Sequence, residues 1–345
     1  DSGPLAEEGA TVVAVLKGCV QRINAAGGIH GRQLRLSIAD PGPDRTSAEQ
    51  ALERLIDEEQ VFALVAPLAP ALGSTLATRL ENAGVPLIGA VSLLGDVQSS
   101  RQIFEPLPGL REQLIALADY AREQLQVLQG PTLITYPDEP GQQRAAQTLG
   151  NHLQANAWLN VRVQPYDPAQ QALPPGFRSI FYLGSGTTFS RFAGHLQGTG
   201  QLPYLFAVAS QVAGDLLQVP EGFSRRLFLA YPFIPGDWTA AGRQALGDVR
   251  LAAGLGGQHA VLQVGAFSSM LLLGEAMKQG GRDISRDKLV RALEGLHDFA
   301  TGLTPQMSFG PGRRLGLSGA HVVTLELPEQ RFYVVAPYKP IAALP

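Results

Sequence analysis

Short apolar runs alternate along this chain with longer amphipathic segments, and this alternation restricts the possible folds more than any other feature. The clearest runs lie at residues 61–66, 132–136, 180–183 and 205–208, and most are separated by segments long enough for a helix. Runs that are apolar throughout are typical of strands buried on both faces. The sequence therefore predicts βαβ units, with parallel sheets that helices cover on both sides.

The length of the chain and the order of its predicted elements indicate two domains. A chain of 345 residues exceeds the usual size of one domain, about 100–200 residues. Two α/β blocks are followed by helices over about 240–296, the last of which Ser285 is expected to cap, and by strands and turns from residue 302 onward. The simplest packing is two doubly wound lobes, in which the late helices return to the first lobe and the tail to the second. Ligands of such sheets bind beyond the carboxyl ends of the strands.

Two glycines mark the end of the first predicted helix. Apolar residues at helical spacing, which include Cys19, predict a helix over 7–26, and Gly27 and Gly28 follow it. Alternating apolar residues then predict a strand over 33–39. Because Cys19 is the single cysteine, no intrachain disulfide is possible, and we expect a buried core thiol.

Charge and motif content exclude several classes of function. A net charge of −3 gives the chain no general attraction for nucleic acids. The most apolar segment, 261–273, is shorter than the roughly 20 residues that span a bilayer and is interpreted as a buried helix. The six histidines form no zinc-binding pattern, and Phe189 replaces the third glycine of a dinucleotide loop that would begin at Gly184. No nucleophile elbow or catalytic triad is found, so the sequence predicts no enzyme and no cofactor.

Four segments occur in a characteristic order: 2–9 (SGPLAEEG), 24–31 (NAAGGIHG), 83–89 (AGVPLIG) and 299–311 (FATGLTPQMSFGP). Each is moderately specific, and the ordered set is more so. In this order and spacing the chain resembles, over nearly its whole length, the type I periplasmic binding proteins of the branched-chain-amino-acid type.

This resemblance implies a fold, a role and a partner. Two α/β lobes, 1–106 with 232–316 and 107–231 with 317–345, would be joined by three crossovers with a ligand cleft between them. The protein would capture a small polar ligand, an amino acid or a related carboxylate or amide, by hinge closure of the lobes. It would work as a monomer without a cofactor in the periplasm or elsewhere outside the cytoplasm, and its partner would be the membrane permease of an ABC importer.

The resemblance also places the candidate ligand-binding residues on loops that follow strands. In the first lobe, where the family binds an α-carboxylate through hydroxyl and backbone N–H groups, the usual hydroxyl position falls on or near Pro70, and Ser92 is the hydroxyl of the next loop. In the second lobe, the two aromatic positions fall on Pro140 and Ser185, and the acidic position falls near Gln211. The full set of candidates is Glu8, Pro70, Ala71, Leu72, Ser92, Leu93, Pro140, Ser185, Gly186, Ser210 and Gln211.

These departures from the family pattern leave alternatives open for the ligand. A buried ammonium without a countercharge costs several kcal/mol, so a carboxylate, an amide or a neutral polar molecule competes with a standard α-amino acid. Glu8 is the candidate substitute for the countercharge. The alternative function is a sensory or accessory ligand-binding module of the same fold, including one with a degenerate cleft that binds nothing.

Overall fold

The computed structural model describes residues 5–89, 100–125, 127–137, 140–166, 175–184 and 186–341. Contacts divide the chain into two compact units. Unit 1 comprises Asp1–Leu107 and Pro235–Leu317, and unit 2 comprises Pro108–Ile234 and Ser318–Pro345. The chain therefore passes from one unit to the other three times.

The secondary structure is mixed, and the predicted α/β class is confirmed. The described α-helices are α1 (Ala6–Ala25), α2 (Arg45–Glu53), α3 (Ser74–Ala83), α4 (Leu110–Gln124), α5 (Pro140–Ala155), α6 (Gly186–Gly198), α7 (Ala209–Val212), α8 (Ala240–Ala253), α9 (Ala260–Gly280) and α10 (Arg286–Glu294). The described strands are β1 (Leu64–Val65), β2 (Leu87–Ile88), β3 (Ile103–Phe104), β4 (Thr132–Tyr136), β5 (Val161–Pro165), β6 (Ser179–Tyr182), β7 (Tyr204–Val208), β8 (Leu227–Tyr231), β9 (Gly319–Glu326) and β10 (Arg331–Pro340).

Unit 2 is built on a seven-stranded sheet in the order β10-β9-β8-β7-β6-β4-β5. The strands from β4 to β8 are parallel, whereas β9 runs antiparallel to both β8 and β10. Every residue of β4 and β6 is buried, which explains why the sequence shows continuous apolar runs there. The strands predicted in this part of the chain are confirmed.

The two faces of the unit 2 sheet have separate apolar cores. Ile134 and Phe181 pack with residues of α4 and α5, and Leu133 and Ile180 pack with residues of α6. Successive strand residues alternate between the faces, as the pleat requires. Helices therefore cover both faces of the sheet. The two ends of its parallel strands are left uncovered, and polar groups gather there.

Unit 1 contains a smaller parallel sheet in the order β1-β2-β3. The 21-residue helix α9 packs against α1 and α10. Within the described residues, α9 is the one helix long and apolar enough to cross a membrane by length and composition, but 72% of its most apolar window is buried inside the fold. An apolar helix of this kind is typical of a protein core, and the buried helix expected over 261–273 is confirmed, with a greater length.

The predicted strand over 33–39 is wrong, because this segment forms no β-ladder among the described residues. Side chains bind one edge of it instead. Asn24 donates its Nδ2 to the carbonyl of Leu34 at 2.9 Å and accepts from the N–H of Leu34 at 2.8 Å. Arg54 donates to the carbonyl of Ile38 at 2.8 Å. The local alternation is real, but these bonds take the place of a neighbouring strand.

A cavity of about 1050 Å³ in unit 1 lies beside this unpaired segment. Both the 33–39 segment and β1 line it. The N–H groups of Leu64 and Ala66 bind carbonyls on the β2 side, at 2.9 Å each. The N–H and C=O groups of the residue between them therefore point to the other side of β1, away from β2. Strand pairing needs a spacing of about 4.8 Å, and among the described residues the 33–39 segment forms no such pairing with β1.

Candidate functional site

In unit 1, the loop after β1 leads into a helix whose amino end has no side-chain cap. Ala66 has a positive φ of 45°, a short 3-10 turn covers Pro70–Leu72, and Gly73 takes the N-cap position of α3 with a φ of 48°. Within the described part of the chain, no side chain caps α3 and its first turn holds no acidic residue. The free N–H groups and the helix dipole therefore favour an anion at this end.

The candidates on this loop differ in exposure. Pro70 and Ala71 are exposed, whereas Leu72 is only 5% exposed and packs in the core of unit 1. Sequence reasoning missed Thr75, a half-buried residue in the first turn of α3 whose hydroxyl donates to the carbonyl of Leu72. The sequence signal for Thr75 was its hydroxyl, which lies a few residues after Pro70, the position where the family's hydroxyl was expected.

The other candidates in unit 1 lie apart from this loop in sequence. Glu8 is half-buried in the first turn of α1. No ion pair joins it to another described residue, whereas the neighbouring Glu7 lies 3.3 Å from His259. Ser92 and Leu93 lie outside the described residues.

In unit 2, three adjacent parallel strands each lead into a helix at the same edge of the sheet. β4, β6 and β7 are neighbours, and α5, α6 and α7 follow them. Pro140 and Gly186 are the first residues of α5 and α6, and Ser210 and Gln211 lie within α7. Ser185 lies outside the described residues. The topology therefore brings Pro140, Gly186, Ser210 and Gln211 to one edge, which is the edge expected for ligands.

Two glutamine oxygens at this edge are buried without a partner among the described residues. They are Oε1 of Gln142, the third residue of α5, and Oε1 of Gln211, the third residue of α7. A buried acceptor without a hydrogen bond costs about 1–3 kcal/mol. At about 4.8 Å between neighbouring strands, the ends of β4 and β7 lie roughly 10 Å apart across β6. Sequence reasoning named Gln211 but missed Gln142, since it considered only the residues next to the strand end.

Two tyrosines, one at the end of β6 and one at the end of β8, remain neutral phenols at neutral pH. Burial raises the pKa of Tyr182 to about 12, although the hydrogen bond with Thr188 acts in the opposite direction. Burial also raises the pKa of Tyr231, at the end of β8, to about 12. The side chain of Tyr182 passes so close to Gly184 that a Cβ there would lie 2.5 Å from the phenol oxygen. This edge therefore offers neutral hydrogen-bonding groups.

Among the described residues, no group of three or more His, Cys, Asp or Glu side chains is placed to hold a metal ion. The unpartnered groups described above are acceptors and donors suited to binding a polar molecule.

A family model described as periplasmic binding protein matches residues 1–324. Among solved structures, the branched-chain amino acid ABC transporter protein of Thermus thermophilus with bound valine has a TM-score of 0.76 at 14% identity, with 99% of this chain and 94% of that chain covered. The branched-chain amino acid substrate-binding protein of Streptococcus pneumoniae in complex with isoleucine has a TM-score of 0.71 at 20% identity, with 97% of each chain covered. A fatty acid ABC transporter substrate-binding protein from Thermomonospora curvata has a TM-score of 0.73 at 14% identity, with 99% and 90% covered. A search of curated sequences gives no significant match.

Proposed function

The chain belongs to the periplasmic binding protein family, and we propose on that premise that it is the extracytoplasmic solute-binding protein of an ABC importer. It captures a small polar solute and presents the solute to a membrane permease. The proposed binding is non-covalent, in keeping with a family of binding proteins. The family and its structural neighbours are binding proteins, which supports this role.

The uncapped amino end of α3 supports a solute with a carboxylate. Free N–H groups at a helix N-terminus bind anions, and the dipole adds about 0.3–1 kcal/mol. The hydroxyl of Thr75 already donates to a carbonyl, so backbone N–H groups carry most of the interaction. This arrangement replaces the hydroxyl that Pro70 does not provide.

The oxygens of Gln142 and Gln211, buried without a partner among the described residues, give this proposal its main support. Acceptors left unpaired in the ligand-free protein gain a hydrogen bond when a solute supplies N–H donors, so the cost of burying them is recovered on binding. Because both oxygens are neutral, they pair an amide without leaving a buried charge. A full ammonium would need a countercharge, and Glu8, in the first turn of α1 and without an ion pair to any described residue, is the candidate that would supply it.

We therefore infer that the preferred solutes combine a carboxylate with an amide or another neutral N–H group. The test is a thermal-shift panel of amino acids, small carboxylates, amides and aromatic acids. A solute that binds only the folded state raises the Tm in proportion to RT ln(1 + [L]/Kd). A saturable rise with carboxylates that carry an amide supports the proposal, and the absence of any rise across the panel contradicts it.

A charge-introducing variant tests the recognition chemistry. Gln211→Glu places a carboxylate at the same position with nearly the same shape, so the preference is expected to move from amides to α-amino acids. Gln154→Glu, at an exposed position of α5, is the matched control and should leave the preference unchanged. An identical solute profile in both variants would show that Gln211 does not contact the solute.

A further inference from the structure

A cavity of about 450 Å³ lies in unit 2 at the edge of the sheet where the parallel strands begin. Its walls come from the residues that precede β6, β7 and β8, among them Arg178 and Arg226. The solute site proposed above lies at the opposite edge, where these strands end. The cavity is therefore a separate feature of the unit, and the capture of a solute makes no use of it.

Neutral groups hold two guanidinium groups in place around this cavity. Arg226 donates its Nη1 to the carbonyl of Leu202 at 2.9 Å, and its guanidinium lies 5.3 Å from the centre of the Tyr204 ring. The guanidinium of Arg162 lies 5.8 Å from the ring of Phe177, another lining residue. A carbonyl and an aromatic face orient a guanidinium but leave its full positive charge uncompensated.

A third arginine is positioned by a glycine. The aliphatic part of Arg178 crosses the backbone at Gly130, where an added Cβ would lie 2.6 Å from Cδ of Arg178. Only a residue without a side chain allows this approach. The stem of Arg178 is therefore set by packing, and the charged end of this exposed residue remains available.

No carboxylate compensates these three arginines within the part of the chain that the structure describes. None of the three is found in an ion pair with a described acid. The neighbouring Arg225, by contrast, pairs with Glu326 at 2.8 Å. Arg178 and Arg226 line the same cavity, and Arg162 lies on the ring of its lining residue Phe177, so an anion with several oxygens can accept charge-assisted hydrogen bonds from more than one guanidinium.

We propose that this cavity binds a small polyvalent anion, one that carries two or more carboxylates or a phosphate. Arg178 and Arg226 donate to its oxygens, and Arg162 adds positive charge at the rim. The volume falls within the range of small-molecule sites, about 300–1,000 Å³. Guanidinium groups match carboxylate and phosphate geometry with paired N–H donors, which is why the class of ligand follows from the residue type.

Calorimetric titration with citrate and with inorganic phosphate tests the proposal, on the whole chain at low ionic strength. Saturable binding of at least one anion is expected. Arg178→Gln and Arg226→Gln should each weaken it about tenfold or more, since each removes charge-assisted hydrogen bonds. Arg225→Gln is the matched control, because it removes one positive charge next to the site from an arginine that already has a partner. Added salt at about 1 M, where the screening length is about 3 Å, should also weaken binding.

Three outcomes would overturn the proposal. The first is the absence of saturable binding of either anion. The second is an equal loss in Arg225→Gln, which would indicate general attraction by surface charge. The third is association with vesicles of anionic phosphatidylglycerol but with neither free anion, which would assign the arginines to a lipid surface. Because Arg178 is exposed, the Arg178→Gln protein is expected to fold even if Arg226→Gln does not.

Discussion

Replacing Gln142 by leucine is expected to stabilise the ligand-free protein and to weaken solute binding. The Oε1 atom of Gln142 is buried and has no partner among the described residues. An unpaired buried acceptor costs about 1–3 kcal/mol, and an apolar side chain of similar size removes that cost. The same change removes an acceptor that the solute needs. The two effects therefore have opposite signs, as expected where a binding site is maintained at the expense of stability.

The size of the effect follows from the size of the unit. For a domain of about 150–250 residues, 1 kcal/mol changes the Tm by about 2–4 °C. The ligand-free Gln142→Leu protein is therefore expected to melt roughly 2–12 °C higher, depending on which part of the 1–3 kcal/mol range applies. Loss of one hydrogen bond worth about 1.4 kcal/mol would weaken solute binding about tenfold.

Circular dichroism melts with and without solute measure both effects on the same sample. Gln154→Leu carries the same substitution at an exposed position of the same helix, and it should change stability by less than about 0.5 kcal/mol and leave binding unchanged. A lower Tm in the ligand-free Gln142→Leu protein would show that its Oε1 is satisfied in the native state. Unchanged solute affinity would show that this oxygen does not contact the solute.

Three further predictions concern the packing of unit 1. In α8, an added Cβ at Gly242 would lie 2.2 Å from a carbonyl oxygen of the adjoining loop, whereas an added Cβ at Gly247 would have no atom within 4 Å. Urea unfolding should therefore show that Gly242→Ala destabilises the protein and that Gly247→Ala stabilises it by up to about 1 kcal/mol. The ion pair between Arg314 and Glu294, at 2.6 Å with side chains 16% and 14% exposed, should make Arg314→Ala cost about 3 kcal/mol in the same assay, because the remaining carboxylate is left buried. Burial raises the pKa of the Cys19 thiol to about 12, so its contribution to stability is complete below about pH 8.5 and is lost as the pH rises through about 12; the native thiol should not react with iodoacetamide at pH 8, and rapid labelling would contradict this.

The sequence predicted most of unit 2 because burial on both sheet faces produces a continuous apolar run, a signal that is present within each strand. Ser285 was predictable for a similar reason, since an N-cap acts on residues close in sequence. Its side chain accepts a hydrogen bond from the N–H of Lys288 at 3.3 Å. Local chemistry of this kind is carried by a few consecutive residues.

The incorrectly predicted strand over 33–39 shows that a local sequence pattern is not sufficient to predict a strand. The apolar alternation is present, but a strand also needs a neighbouring strand to pair with, and the described residues provide none beside 33–39. Gln142 was missed for a related reason, because the burial of its oxygen depends on how α5 packs and not on the residues beside it. Ser92 and Ser185, which the resemblance suggested, lie outside the described residues and stay predictions.

Native mass spectrometry of the folded protein, incubated with an equimolar mixture of amino acids, small carboxylates, amides and aromatic acids, tests the proposed solute capture most directly. We expect one adduct of one solute per chain, with a mass that identifies a carboxylate bearing a neutral N–H group and with lower occupancy in Gln142→Leu. The absence of any adduct in a protein shown to be folded would contradict the proposal that this chain captures a solute.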